Sequence, residues 1–277
     1  MTESVAIVVA ALLVGLCVGS FLNVVIHRLP KMLDRGWRAQ CAELRGEEIV
    51  DEPAYNLVVP RSACPSCGHR ITALENVPVV SWLLLGGKCS ACKTRIPVRY
   101  PIVEIVGGLL AVAAIVAFGA TAKGAAACVL LWTLLALTVI DADTQLLPDD
   151  LTLPLVWAGL IVNLWGVFAP LASAVIGAVA GYLTLWTIYW LFKLIRGKEG
   201  MGYGDFKLLA ALGAWLGWTM LPLIVLLSSV VGAVIGLALI AFKGRDHELP
   251  MPFGPFLAIA GAIALFFGPA LVKLYLP

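Results

Sequence analysis

A chain of 277 residues that is 61% hydrophobic and only 13% charged, with a net charge of +2 and a mean hydropathy of +0.97, is not a soluble globular domain. Nor is a nucleic-acid partner expected; the lipid bilayer is. A bilayer-spanning helix needs about 20 mostly apolar residues. Eight windows meet or approach that length: 5–26, 102–119, 125–141, 151–168, 172–193, 206–219, 222–242 and 255–274. The first follows Thr2 and Glu3 instead of a basic segment and lacks a small-residue cleavage site, so it reads as a retained anchor.

The one long polar stretch, about 27–101, carries Arg28, Lys31, Arg35, Arg38, Arg45, Arg61, Arg70, Lys88, Lys93, Arg95 and Arg99. By the positive-inside rule it is cytoplasmic. Counting crossings from there puts the 141–150 turn and the 193–205 and 243–254 loops on the same side. Lys193, Arg196, Lys198, Lys243 and Arg245 agree, whereas only Lys123 and Lys273 fall outside.

Within that polar stretch, Cys64-Pro-Ser-Cys67 and Cys89-Ser-Ala-Cys92 form two C-x2-C turns separated by 21 residues. Four thiolates from two tight turns can close a tetrahedral zinc site, although this spacer is one residue longer than usual. Paired disulfides or a redox C-x-x-C are the alternatives; cytoplasmic placement argues against the first and the duplication against the second. A closed four-sulfur site leaves no open position, so the zinc is structural. His69 follows the first turn and reads as a surface residue. Cys17, Cys41 and Cys128 read as small buried or free thiols.

Two acids, Asp141 and Asp205, each stand where a hydrophobic window meets a Gly/Pro-punctuated loop, in DADTQLLPDD (141–150) and GMGYGD (200–205). An ionisable group at such a boundary is a functional hypothesis by default. The crossing count places both at one membrane depth, as an aspartyl dyad requires. One carboxylate would take a proton from a water attacking a peptide carbonyl while the other, protonated, stabilises the developing oxyanion. Gly202 and Gly204 would let an extended substrate strand approach Asp205, or simply pack helices. Asp149 and Asp150 read as caps of the next helix after a stop at Pro148, and Asp143 stays open.

Taken in order, Phe21-Leu-Asn-Val-Val-Ile-His-Arg-Leu-Pro30, the cysteine pairs, D-x-D-x-x-x-L-P-D from Asp141 to Asp149, Gly202-Tyr-Gly-Asp205-Phe-Lys-Leu208 and Pro252-Phe-Gly-Pro-Phe256 resemble the prepilin peptidase family, in its bifunctional bacterial form. The resemblance runs nearly the full length. It implies that Asp141 and Asp205 are the catalytic pair, and that the substrates are type IV prepilins and type II secretion pseudopilins with a short basic leader. Cleavage would occur at the cytoplasmic face of a bacterial inner membrane. The new N-terminal residue, usually Phe, would then be methylated with S-adenosylmethionine as donor. The G-x-G-D element is similarly shared with presenilin and signal peptide peptidase proteases. No strand followed by G-x-G-x-x-G marks a site for the methyl donor. The zinc-bearing loop with Gly86 and Gly87 is where the family suggests looking, although those glycines equally suit a tight turn.

The expected architecture is an all-α polytopic bundle of about eight transmembrane helices. It divides into a first helix (1–26), a cytoplasmic zinc-knuckle domain (27–101) and a seven-helix intramembrane aspartyl protease domain (102–277), with both acids facing the knuckle domain. Glu43, Glu47, Glu48, Asp51 and Glu52 could steer a basic leader or form a solvated segment. A transporter would instead place its acids near the bilayer midplane, often in paired repeats. A non-enzymatic secretion scaffold would tolerate loss of either aspartate.

Overall fold

In a computed structural model, residues 2–47, 53–198, 200–243 and 251–273 are described. The described residues form α-helices, three short 3-10 turns and two isolated β-bridges, without any strand. The chain divides into two compact units, residues 1–124 and 125–277.

The first unit is built on α1 (Thr2–Arg45) and α3 (Arg99–Phe118), with the five-residue α2 (Val80–Leu84) between them. Its two long helices touch backbone to backbone, because a Cβ on Gly15 would come within 2.7 Å of the Gly107 carbonyl and the Gly108 Cα. Small residues at such a seam let apolar helices pack where lipid supplies no hydrophobic drive between them. The Asn23 amide extends the seam by donating to the Tyr100 carbonyl (3.0 Å).

The helix itself does not stop with the apolar window at residue 26: α1 runs through Pro30 to Arg45. The apolar pattern stops where α1 leaves the hydrophobic stretch, but helix-forming polar residues carry it on, including an exposed Asp34–Arg38 pair at 2.8 Å. Arg35 stacks over the Tyr55 ring (4.4 Å), and Arg28 donates to the Asn56 carbonyl (2.8 Å), so residues 53–60 lean on this extension. Of the acidic run, Glu43 lies on α1 and Glu47 pairs with Arg45 at 3.5 Å, while Glu48, Asp51 and Glu52 lie outside the described residues, as does Arg245.

The second unit holds most of α4 (Ala122–Thr144), then α5 (Asp149–Val162), α6 (Leu171–Arg196), α7 (Tyr203–Leu216), α8 (Leu221–Lys243) and α9 (Gly254–Val272). Apolar all round, α7 is the buried centre: from Asp205 to Leu216 every residue except Lys207 is buried. Gly213 of α7 meets Gly177 of α6 backbone to backbone, Gly159 of α5 lies under Trp215, and Gly261 of α9 receives Leu212. Trp215 Nε1 donates to the Leu155 carbonyl (2.8 Å).

Among the described residues, six helices are long and apolar enough to cross a bilayer: α1, α3, α4, α6, α8 and α9. The chain is thus an all-α multi-pass membrane protein; the expected count of about eight spans is not confirmed, since α5 and α7 have 14 residues each. At 1.5 Å per residue they are about 21 Å long, short of a hydrocarbon core of about 30 Å. Asn163 bounds α5, and Gly217, at a φ of 83°, bounds α7; the two ends meet at Asn163. Its buried amide donates to the carbonyls of Ala214 (2.8 Å) and Trp215 (2.9 Å) while its oxygen accepts from the Phe168 and Ala169 amides (both 3.0 Å). One side chain therefore closes the open carbonyl end of α7 and the turn after α5.

Candidate active site and metal centre

Asp141 stands in the last turn of α4, and Asp205 in the first turn of α7; each residue is only 5% exposed. Asp141 Oδ2 accepts the Gly254 amide at 2.9 Å, at the start of α9. Unpaired amides and the positive end of the helix dipole make such a terminus favourable for an anion. A Cβ at position 254 would sit 2.6 Å from that oxygen, so only glycine lets the amide reach it. Asp205 Oδ2 reaches back to the Gly202 amide (3.2 Å), while its other oxygen, Oδ1, is buried with no hydrogen-bond partner among the described residues.

The two carboxylates lie within electrostatic range of each other. Leu147 fills the space between their supports, since Cβ atoms on Gly204 and Gly254 would come 2.6 Å and 3.1 Å from its side chain. Gly204 is therefore occupied by packing in this structure, whereas the Gly202 side stays open. Beside Asp205, Tyr203, Phe206 and Tyr189 form a tight ring triangle with centroids 5.2–5.7 Å apart, which fixes the first turn of α7 on α6. The two acids expected from the sequence are both buried at helix ends whose neighbouring glycines flank Leu147. Asp143 and Asp150 are exposed.

Asp149 differs from its expected role. It is in the first turn of α5, not at the cap, which is Pro148, and it accepts Lys207 Nζ at 2.6 Å and 2.7 Å. That pair joins the starts of α5 and α7, two residues beyond Asp205. Nothing in the spacing pointed to it. Gly254 was also missed as a ligand of Asp141, although its P-F-G-P-F motif was visible.

In the first unit, Cys64, Cys67, Cys89 and Cys92 place their sulfurs within 4.8 Å of one another, with 3.7 Å between Cys64 and Cys92 and 4.0 Å between Cys67 and Cys89. A tetrahedral site with metal–sulfur bonds of about 2.3 Å has edges of about 3.8 Å, so the cluster fits a four-thiolate zinc ion. The two turns repeat one design. Cys64 and Cys89 donate their amides to His69 and Thr94 (2.9 Å each), bridges pair Ala63 with Arg70 and Lys88 with Arg95, and the fifth residue of each turn, Gly68 or Lys93, has positive φ. The amides of Ser66 and Cys67 pull the Cys64 thiol below its ordinary range, and the Thr94 hydroxyl and backbone bring Cys92 down to about 6. Both shifts favour the metal-binding thiolate, whereas hydrogen bonds with the Cys92 and Cys64 sulfurs push Cys67 up to about 12, so the thiols share protons and titrate as a set.

His69 does not join the sulfurs; its Nε2 lies 3.2 Å from Glu75 Oε1. Hydrogen bonds from Ser90, then from the Thr72 amide and hydroxyl, hold Glu75 down at about 2, so one carboxylate links the two knuckles. Gly86 and Gly87 both take positive φ in the turn before Cys89. Cys17 and Cys41 are exposed and Cys128 is buried. With no strand among the described residues, a strand–glycine turn–helix site for a nucleotide-type methyl donor is not formed.

Family models match in two blocks: the bacterial peptidase A24 N-terminal domain over residues 13–118, and the type IV leader peptidase family over residues 128–237. A Pseudomonas aeruginosa protein named prepilin leader peptidase/N-methyltransferase is 56% identical over 276 residues, covering 99% of this chain and 95% of its own length. The chain belongs to the type IV leader peptidase family. Relatives with the same name in Aeromonas hydrophila and Burkholderia pseudomallei are each 58% identical, over 95% and 93% of this chain and 92% and 84% of theirs. No solved structure matches the chain. The cysteine cluster falls in the first family block and both aspartates in the second. This family member is therefore a membrane-embedded peptidase and methyltransferase that carries a four-cysteine cluster able to hold a metal ion.

Proposed function

We propose that the chain cleaves the short basic leader from type IV prepilins and type II secretion pseudopilins with Asp141 and Asp205, then methylates the new N-terminus. The observation that carries the reading is the pair of buried carboxylates at the ends of α4 and α7, one with an oxygen lacking any partner among the described residues. Two close carboxylates share one proton because both cannot ionise cheaply, and the pair titrates as a unit. The ionised partner takes a proton from the attacking water. The protonated partner donates a hydrogen bond to the carbonyl oxygen as the water adds to its carbon; when the C–N bond then breaks, the proton taken from the water passes to the leaving amine and the dyad returns to its starting state.

Gly254 orients Asp141 through its amide, and Gly202 orients Asp205. Cleavage is assigned to the cytoplasmic face of a bacterial inner membrane, on the positive-inside count of the 27–101 stretch. In this reading residues 1–26 form the membrane-spanning part of α1, 27–101 the knuckle domain, into which α1 continues, and 102–277 the protease domain. Cys64, Cys67, Cys89 and Cys92 would hold zinc, whose contribution is folding energy for that domain. S-adenosylmethionine would supply the methyl group; no residue is assigned to it.

A mass-spectrometric time course of purified prepilin, with the chain in detergent and S-adenosylmethionine present, tests both activities. The wild type should release the leader and add one methyl to the new N-terminus, whereas Asp205→Asn should leave the precursor intact. Cleavage by the variant removes the dyad, and cleavage without methylation leaves only the peptidase.

A further inference from the structure

The knuckle unit carries a surface that its metal site does not explain. Leu74, Val77, Val80, Leu83 and Leu84 are 83%, 39%, 51%, 64% and 83% exposed, five aliphatic side chains within one short segment around α2. The segment is nonetheless firmly held on its other side. Trp82 Nε1 donates to the Ile96 carbonyl (3.2 Å), and its ring fills the place where a Cβ on Gly87 would lie (2.8 Å). Clustered apolar exposure on a well-anchored element marks an interaction site.

Depth identifies the partner. The Val79 amide, at a φ of 61°, donates to Glu104 Oε2 at 2.7 Å. Glu104 is buried against Gly19 of α1 and lies in the membrane-spanning helix α3, five residues (104 − 99) past its start at Arg99. At 1.5 Å per residue that is about 7–8 Å along the helix. A carboxylate in a span needs a named partner, and here it is this amide. A helical side chain leans toward the start of its helix, so the Glu104 carboxylate and the α2 start it holds lie between the level of the Glu104 Cα and that of Arg99, within the band of about 5–10 Å where interfacial helices bury their apolar faces. Lys88, Lys93, Arg95 and Arg99, all exposed, follow the apolar cluster in sequence and suit anionic headgroups.

We propose that residues 74–85 lie in the lipid interface of the bilayer that α3 crosses, so that the metal-binding module is seated on the membrane through α2 and the Val79–Glu104 staple. Held there, the module cannot swing freely away from the surface.

The test places a photoreactive diazirine amino acid at position 84 of the full chain, reconstituted in phosphatidylcholine/phosphatidylglycerol vesicles, and reads adducts by mass spectrometry after irradiation. Position 109, exposed on α3, is the lipid-facing reference, and position 44, exposed at the polar end of α1, the aqueous one. Lipid adducts at 84 should come within about twofold of those at 109 and exceed those at 44 by about fivefold or more, as burial in the acyl boundary requires. Labelling at 84 no higher than at 44 overturns the proposal, as do adducts to a second copy or to added prepilin in place of lipid. Glu104→Ala, with bound metal unchanged, should lower lipid labelling at 84 severalfold; undiminished labelling removes the staple from the argument.

Discussion

The four-cysteine cluster and the aspartate pair are assembled over very different stretches of chain. Each knuckle closes on itself through backbone bonds between residues a few positions apart, and the two meet across 28 residues between Cys64 and Cys92. The aspartate site draws on helix ends 64 positions apart (205 − 141), and Asp141 finds its amide partner 113 residues away, at Gly254. A site made of local turns can form wherever its turns form. A site made of helix ends exists only when α4, α7 and α9 are packed, because nothing local holds either carboxylate beside the other. The first should fail through loss of its ligand, and the second through small shifts in packing.

The largest expected effect is on the acids themselves. Asp141→Asn or Asp205→Asn should lower leader cleavage by about 10³-fold or more, with helical content by circular dichroism unchanged. Retained cleavage in either variant would break the idea of a long-range catalytic pair. Gly254→Ala comes next, since its Cβ would sit 2.6 Å from Asp141 Oδ2. A displacement near 1 Å in a catalytic group lowers the rate by about 10²-fold, which a single-turnover assay would read. Wild-type turnover would mean that the amide contact does not position Asp141.

Cys67→Ser sharpens the other side of the comparison. It should remove bound zinc, measured by atomic emission, and loosen residues 62–96 to proteolysis, while the thermal stability of the second unit stays unchanged. Asn163→Ala should strip the partners from two carbonyls and two amides in the second unit, lowering stability by about 4 kcal/mol or more at about 1–3 kcal/mol per unsatisfied buried group. Thermal denaturation in detergent checks this, and bound metal should not change. The smallest effect belongs to Lys207→Met, which opens the partly exposed pair with Asp149 and should lower stability by about 1 kcal/mol or less, mostly at low salt.

Much of this was legible in the sequence where the signal is local. Apolar windows marked the helices because burial in lipid demands long runs of such residues, and the C-x2-C spacing marked the cluster because a tight turn can aim two sulfurs at one point. The end of α1 was not legible. A helix that leaves the hydrophobic stretch loses its apolar pattern without losing its backbone bonds, and the arginines that lean on Tyr55 and Asn56 gave no periodic sign. The length of α5 was also hidden, because whether Asn163 interrupts its window or is carried through it depends on the carbonyls of Ala214 and Trp215, some 50 residues further on.

By itself the sequence determined the membrane class, the paired knuckles and which two acids stand at helix boundaries, since each follows from composition or from spacing within one segment. Only the tertiary structure decided that the Gly254 amide holds Asp141, that Lys207 holds Asp149, that Glu75 joins the knuckles and that Glu104 holds Val79. These are single hydrogen bonds or ion pairs across folded space. One carboxylate or amide in a loop looks like any other until packing decides what it faces.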